Sequence, residues 1–323
     1  MRAVVLTEPA SPLSMQEVAE PTVPDGGCLV DVLACGICHS DLHAAAGDYP
    51  TKLPVILGHE VVAQHPQLGP VMVYACWGCR RPDCWACSSA QEMICPDATE
   101  AGLLRDGGYA ERMAVADPAY LVPIGDLDPA HAAPLACGGL TAYRAVDHVL
   151  DTLRSAAEPR ALVIGAGGLG QFGLQWLTRR SDAAVTVVDA SPVKREIALE
   201  LGAHQALAPA EVSGTFTAVI DFVGAEATLA TARDHVRRQG IVVVVGLYGG
   251  RIPFGFGAVP HEARFMTSVW GTLAQMQEMI ALVQAQPLHS PVEVIGLGQV
   301  GQAHERLQRG DVAGRFVIVP GQA

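Results

Sequence analysis

The 323-residue sequence is short of aromatic side chains, of cations and of long apolar runs. Phe, Trp and Tyr together make up 5%, too few for the stacking platform of a single-strand nucleic-acid binder. Lys and Arg number 21 against 33 Asp and Glu, a formal charge of −12, and so acidic a surface disfavours nucleic acid or an anionic membrane as primary partner. Hydrophobic residues nevertheless reach 50%, with only 17% charged, which supplies large cores and argues against disorder. The amino-terminal apolar stretch Ala3–Leu6 is soon interrupted by Glu8, too short for a secretory signal. The longest uncharged stretch, Ala161–Thr178, has membrane length but holds five glycines and two glutamines, and reads as buried strand, turn and helix. A soluble cytoplasmic protein of about two domains is expected.

An even set of cysteines is also missing. Nine occur, at positions 28, 35, 38, 76, 79, 84, 87, 95 and 137, and seven of them lie between residues 35 and 95. An odd count in a long chain without a secretory signal is a poor disulfide framework, so the cluster reads as metal ligands or catalytic groups.

The two halves differ in texture. Residues 1 to about 138 are rich in Pro, Gly and Cys, with short apolar runs at Ala3–Leu6, Cys28–Val32, Val71–Tyr74 and Met113–Val115, the pattern of a loop-rich β domain. From about 139 onward strands alternate with helices: Ala161–Ile164, a helix from about Gly170 to Arg180, Ala184–Val188, then Pro192–Leu201 with Ser191 as N-cap. Val219–Val223, Ala225–Arg237 and Ile241–Val245 repeat the unit. Such alternation specifies an α/β fold, a parallel sheet covered by helices on both faces. A helix near Ala274–Gln284, a strand Val292–Ile295, a helix near Val300–Arg309 and a strand Phe316–Val319 follow.

Gly165-Ala166-Gly167-Gly168-Leu169-Gly170 follows a strand and opens a helix, fitting the dinucleotide fingerprint G-x-G-x-x-G. The first glycine permits the turn, the second the approach of a pyrophosphate, and the third close helix–strand packing, with the helix amino terminus facing the anion. Asp189 closes the next strand, placed to accept from ribose hydroxyls and to favour NAD over NADP. Lys194 and Arg195 nearby would tolerate a 2′-phosphate, and the plainer role for Asp189 is to cap the Ser191–Pro192 turn.

Two sets of metal ligands stand out. Cys38, His59 and Cys137 form a Cys, His, Cys set that leaves one tetrahedral position open, as a catalytic zinc requires. Cys79, Cys84, Cys87 and Cys95 form a four-thiolate set with none open, suited to a structural zinc in a lobe at about residues 76–96.

The segments Gly36-Ile37-Cys38-His39-Ser40-Asp41-Leu42-His43, Leu57-Gly58-His59-Glu60, the four-cysteine lobe, Pro134-Leu135-Ala136-Cys137-Gly138-Gly139, Val163–Gly170 and Gly314–Pro320 occur in the order seen in one family. The chain resembles the zinc-dependent medium-chain alcohol dehydrogenases, with wording most similar to the bacterial secondary-alcohol branch. The resemblance implies a GroES-like, β-rich catalytic domain built from residues 1–138 and 272–323. It further implies a Rossmann domain over 139–271, an active site between the two, and a homodimer or homotetramer. Cys38, His59 and Cys137 would hold the catalytic zinc, with Glu60 as a nearby or transient ligand. Asp41 would fix the tautomer of His59 from behind. Asp189 and Lys194 would hold the adenosine ribose, His39 and Arg315 would approach the pyrophosphate, and Gly246 and Leu247 would lie along the cofactor.

Three departures from the family pattern stand out. The lobe reads C-x4-C at Cys79–Cys84, which leaves Cys76 as an alternative to Cys79. The stretch Val61–Val73 and the loop Pro96–Gly108 are both short.

The expected reaction moves a hydride between an alcohol carbon and NAD, with zinc as Lewis acid. Ser40 and His43 would pass the alcohol proton outward through the cofactor ribose. Trp85, Tyr248, Trp270 and Leu247 are candidate pocket walls for hydrophobic substrates of modest size. The alternative is a biosynthetic reductase of the same fold acting on an enal, iminium or other unusual acceptor.

Overall fold

The computed structural model describes residues 1–322 and divides into two compact units, Met1–Leu140 with Gly271–Ala323 and Thr141–Trp270. The first unit is β-rich. Its main sheet runs Leu121–Pro123, Gly69–Val73, Glu60–His65, Cys28–Gly36, Arg315–Ile318, Val292–Ile295, and Arg112–Val115 also pairs with the start of Cys28–Gly36. The carboxy-terminal strand is thus stitched into the amino-terminal sheet, Val317 opposite Gly36 and Ile318 opposite Cys35. A second sheet joins Ser14–Glu17, Arg2–Leu6 and Val55–Ile56.

The short Val61–Val73 stretch is a tight hairpin, His65 paired with Gly69. The backbone N–H groups of Gln67 and Leu68 both donate to His65 Nδ1, at 3.3 and 3.2 Å. The imidazole therefore closes the turn from inside. The short loop before Tyr109 presses Gly102 and Gly107 against the backbone of Gly58; a Cβ on Gly107 would lie 2.1 Å from the Gly58 carbonyl oxygen. Those glycines set the position of His59, the next residue.

The second unit is a six-stranded, all-parallel sheet in the order Gln205–Leu207, Ala184–Val188, Arg160–Ile164, Phe216–Asp221, Val236–Val244, Arg264–Thr267. This is the doubly wound order, with its switch point between Arg160–Ile164 and Phe216–Asp221, where ligands bind beyond the strand ends. Leu162, Ile164, Val188, Phe216, Val219, Ala232, Val236 and Val242 form one core cluster, which explains why these strands read as continuous apolar runs. Phe216–Asp221 ends two residues earlier than its apolar run, because the Asp221 carboxylate accepts from the N–H groups of Val223 and Gly224 and turns the chain. The helix Gly138–Arg154 and the edge strand Arg264–Thr267 were not expected.

Candidate metal centre and dinucleotide cradle

Cys38 is the N-cap of the helix His39–Ala46, and Asp41 in its first turn accepts from the Cys38 N–H at 2.8 Å. His59 lies between Gly58, held at φ +95°, and Glu60, the first residue of the strand Glu60–His65. Cys137 ends a short 3₁₀ turn, Ala133–Ala136. From these three places Cys38, His59, Glu60 and Cys137 converge, all buried, with one ligand atom from each lying within 4.8 Å of the others.

Charge supports a cation there. Arg315, 5% exposed, pairs with Glu60 Oε1, and Glu60 itself is fully buried. Cys38 and burial push the Cys137 thiol well up; were both sulfurs deprotonated, they and the carboxylate would outweigh the guanidinium by two charges, which a divalent ion would cancel. Cys38's thiol is pulled well below the thiol range, first by a hydrogen bond from Cys137, against burial, and then by His59 and the Arg315 charge. Burial pushes the Glu60 carboxyl up to about 7 although Arg315 opposes it. Glu60 Oε2 is buried with no hydrogen-bond partner, while Oε1 is fixed by Arg315. The residues present thus fit zinc, with a Cys, His, Cys set and an exchangeable carboxylate. Gly36 completes the pocket for Glu60, since a Cβ there would stand 2.0 Å from Oε2.

Behind the ligands, Asp41 Oδ1 lies 3.2 Å from His59 Nδ1, a contact less collinear than a standard hydrogen bond. Ser40 Oγ is 3.2 Å from His59 Nε2, on the metal-facing side of the ring. His43 stands about one turn along the helix from Ser40 and contacts Asp48 Oδ2 through Nδ1 at 2.8 Å. Because a carboxylate only accepts, Nδ1 carries the proton in this contact.

The four-cysteine lobe gathers Cys79, Cys84, Cys87 and Cys95 within 4.8 Å. Cys76 is instead buried in the strand pair Cys76–Trp77 with Thr99–Glu100, outside that group. The extra residues between Cys79 and Cys84 fold outward: Arg80, at φ +54°, pairs with Asp117, and Arg81 with Asp97 at 2.6 Å. The backbone N–H of Cys87 draws the Cys84 thiol down to about 7, as suits a ligand.

In the second unit each fingerprint glycine has a distinct place. Gly165 adopts φ +91°, a Cβ on Gly167 would meet nothing within 4 Å, and one on Gly170 would stand 1.8 Å from the Gly165 carbonyl oxygen. Gly168 and Leu169 form the first turn of the helix Gly168–Arg180. Asp189 accepts from the N–H groups of Ala166 and Ser191, both at 2.8 Å. It therefore ties the glycine turn to the next βα turn. Ser191 caps the helix that carries Lys194, and Arg195 donates to the carbonyls of Asp189 and Ala190. The open cradle over Gly167 at a helix amino terminus fits a dinucleotide pyrophosphate.

The remaining expected residues have varied surroundings. Arg315 pairs one guanidinium nitrogen with Glu60 inside the first unit, and its Nε is buried with no hydrogen-bond partner. His39 is exposed in the first turn of its helix. Trp85 is 61% exposed on the lobe, whose short helix turns Ala86 inward instead. Leu247 and Tyr248 are exposed just after Gly246, whereas Trp270 is buried at φ +48°. Two residues of the centre were missed altogether, Tyr109 and His304, because a tyrosine after paired glycines and a histidine in a polar helix carry no signal of their own.

The fold and site define a zinc-type dehydrogenase of two units, and comparison with known proteins agrees. Residues 24–126 match the family profile of the alcohol dehydrogenase GroES-like domain, and residues 168–285 that of the zinc-binding dehydrogenases. An alcohol dehydrogenase of Geobacillus stearothermophilus is 33% identical over 98% of this chain and 99% of its own length. An NAD-dependent alcohol dehydrogenase of Saccharolobus solfataricus is 31% identical over 99% and 100%; a D-arabinose 1-dehydrogenase (NADP(+)) of the same organism is 28% identical over 99% and 97%. The crystal structure of the Aeropyrum pernix alcohol dehydrogenase superposes with a TM-score of 0.89 at 28% identity, covering 99% of this chain and 100% of that one. The chain belongs to the zinc-dependent medium-chain alcohol dehydrogenase family.

Proposed function

We propose that this protein interconverts an alcohol and an aldehyde or ketone, the carbinol hydride passing to NAD and the hydroxyl proton to solvent. The observation that carries the reading is the convergence of Cys38, His59 and Cys137 with a carboxylate, Glu60, whose second oxygen is held by Arg315. When bound, zinc at this centre supplies Lewis-acid polarisation of the alcohol or carbonyl oxygen, and NAD on the glycine turn accepts or returns the hydride.

The chain's own groups do the rest. Arg315 holds Glu60 ready to fill or vacate a ligand position as substrate enters and leaves. Asp41 orients His59. Ser40, beside His59 Nε2, takes the hydroxyl proton, and His43, its Nδ1–H committed to Asp48, receives the proton at Nε2. Asp189 favours NAD over NADP by presenting a carboxylate where a 2′-phosphate would sit. Lys194 lies in the helix turn that follows, and His39, Gly246 and Leu247 are assigned to the cofactor surface. Trp85, Tyr248 and Trp270 are assigned to the substrate surface, with hydrophobic small or medium substrates. Two zinc ions per chain, a homo-oligomeric assembly and a cytoplasmic location complete the reading; no helix among the described residues is long and apolar enough to cross a membrane.

Metal counting and a substrate panel test it. The purified protein should carry two zinc per chain, Cys79→Ser and Cys38→Ala about one each, and Cys76→Ser two. NAD should support alcohol oxidation at a kcat/KM about tenfold or more above NADP. Turnover confined to enals or iminium acceptors would favour the alternative reductase, and one zinc per wild-type chain would overturn the two-site assignment.

A further inference from the structure

Asp41 does not end the polar chain behind His59. Its other oxygen, Oδ2, accepts from the Tyr109 hydroxyl at 2.9 Å as well as from the Cys38 N–H, and the Tyr109 hydroxyl oxygen lies 3.2 Å from His304 Nε2. Asp41 and Tyr109 are fully buried, His59 is 1% exposed and His304 7%. The four residues come from four separate segments of the first unit: the helix His39–Ala46, the turn before Glu60–His65, the loop 107–111 and the helix Val300–Gln308.

Donor counting gives the chain a direction. Asp41 only accepts, so the single Tyr109 hydrogen is spent on it and the phenol oxygen must accept from His304, whose Nε2 therefore carries hydrogen. Burial holds the His304 imidazole below its ordinary range, with Asp41's charge opposing, so the ring is neutral and has one N–H to give. The Tyr109 ring is fixed independently. It stands edge-on to His304 at 5.8 Å and 82°, and it fills the space over Gly58, where a Cβ would come within 2.3 Å of Cδ1. Phenylalanine would fill that space equally well. A buried hydroxyl costs free energy unless it is bonded, so the oxygen is there for Asp41 and His304.

We propose that Tyr109 and His304 are positioning residues for His59, holding Asp41 so that the imidazole keeps Nδ1 protonated and presents Nε2 to the metal. This rests on reading Cys38, His59 and Cys137 as a zinc site. Outer-shell partners of metal-bound histidines are worth roughly 10–100-fold in metal affinity, and these two lie one and two bonds further out.

The test is the rate at which the zinc-loaded protein yields its metal to the chromogenic chelator 4-(2-pyridylazo)resorcinol. The release phase missing from Cys38→Ala marks the centre in question. Tyr109→Phe should speed that phase by about tenfold and His304→Leu by about threefold, with the lobe's phase close to wild type. His304→Gln, which keeps an amide N–H near the Nε2 position, should release metal at nearly the wild-type rate. Unchanged release in Tyr109→Phe and His304→Leu would overturn the inference, as would equal acceleration of both phases or a His304→Gln variant no better than His304→Leu. A wild-type protein with no phase lost in Cys38→Ala would instead overturn the zinc-site reading itself.

Discussion

Gly165, Gly167 and Gly170 sit within one turn, yet a methyl group on each would meet a different fate. At Gly170 it would collide with the Gly165 carbonyl oxygen at 1.8 Å, and at Gly167 it would enter open space on ordinary extended backbone. Gly170→Ala should therefore destabilise the protein by about 1–3 kcal/mol with or without cofactor. Gly167→Ala should leave the unfolding midpoint of the cofactor-free protein unchanged and weaken NAD binding by about tenfold, or about 1.4 kcal/mol. Denaturant titration paired with calorimetric NAD titration separates the two, and equal losses of stability would contradict this division of labour. At this scale the sequence was highly legible. Sulfur, imidazole and glycine at fixed spacings have few other uses, so Cys38, His59, Cys137, Cys84, Cys87, Cys95 and Gly165–Gly170 could be named as candidates in advance, while Cys79 and Cys76 stayed alternatives. Arg315 could not be placed, because its partner Glu60 is 255 residues away and nothing local marks a guanidinium as buried.

Among the elements, Val300–Gln308 shows most clearly what a helix adds beyond its own apolar face. Its buried residues are Val300, Ala303, His304 and Leu307, one helical face on which His304 is the polar member. His304 faces Tyr109 and Asp41, and burial keeps its pKa below the ordinary 6.5. Below pH 6.5 the unfolded chain binds a proton at this histidine that the folded protein does not, so stability falls as the pH drops. The free energy of wild type minus that of His304→Gln should therefore decline between pH 7 and pH 5.5 in chemical denaturation. A flat difference would show that the folded imidazole titrates like a free one. Other elements escaped notice for simpler reasons. The helix Gly138–Arg154 opens on two glycines, which mask a regular stripe of Leu140, Tyr143, Val146, Leu150 and Leu153, all buried. The edge strand Arg264–Thr267 is only half-buried, so it lacks the apolar run that announces the central strands.

For the molecule as a whole, the first unit is closed by its two chain ends. Arg315–Ile318 pairs with both Cys28–Gly36 and Val292–Ile295, and the strand's first residue neutralises Glu60. Arg315→Met should leave that carboxylate buried without its partner, at a cost of about 3–5 kcal/mol. Arg315→Met with Glu60→Gln should cost less than the sum of the two single changes, a coupling that denaturant titration of all four proteins measures. Additive losses would mean that the pair contributes nothing as a pair. The sequence by itself determined the ligand chemistry, the dinucleotide turn and the alternation of strands and helices, because each depends on residue type and short spacing along the chain. Tertiary structure alone decided that Cys79 and not Cys76 joins the lobe's sulfur cluster, that Arg315 serves Glu60, and that Tyr109 and His304 stand behind His59. Outside the lobe, these are contacts between segments tens to hundreds of residues apart, selected by which buried charges and hydroxyls find partners when the sheet closes, and no local pattern encodes that choice.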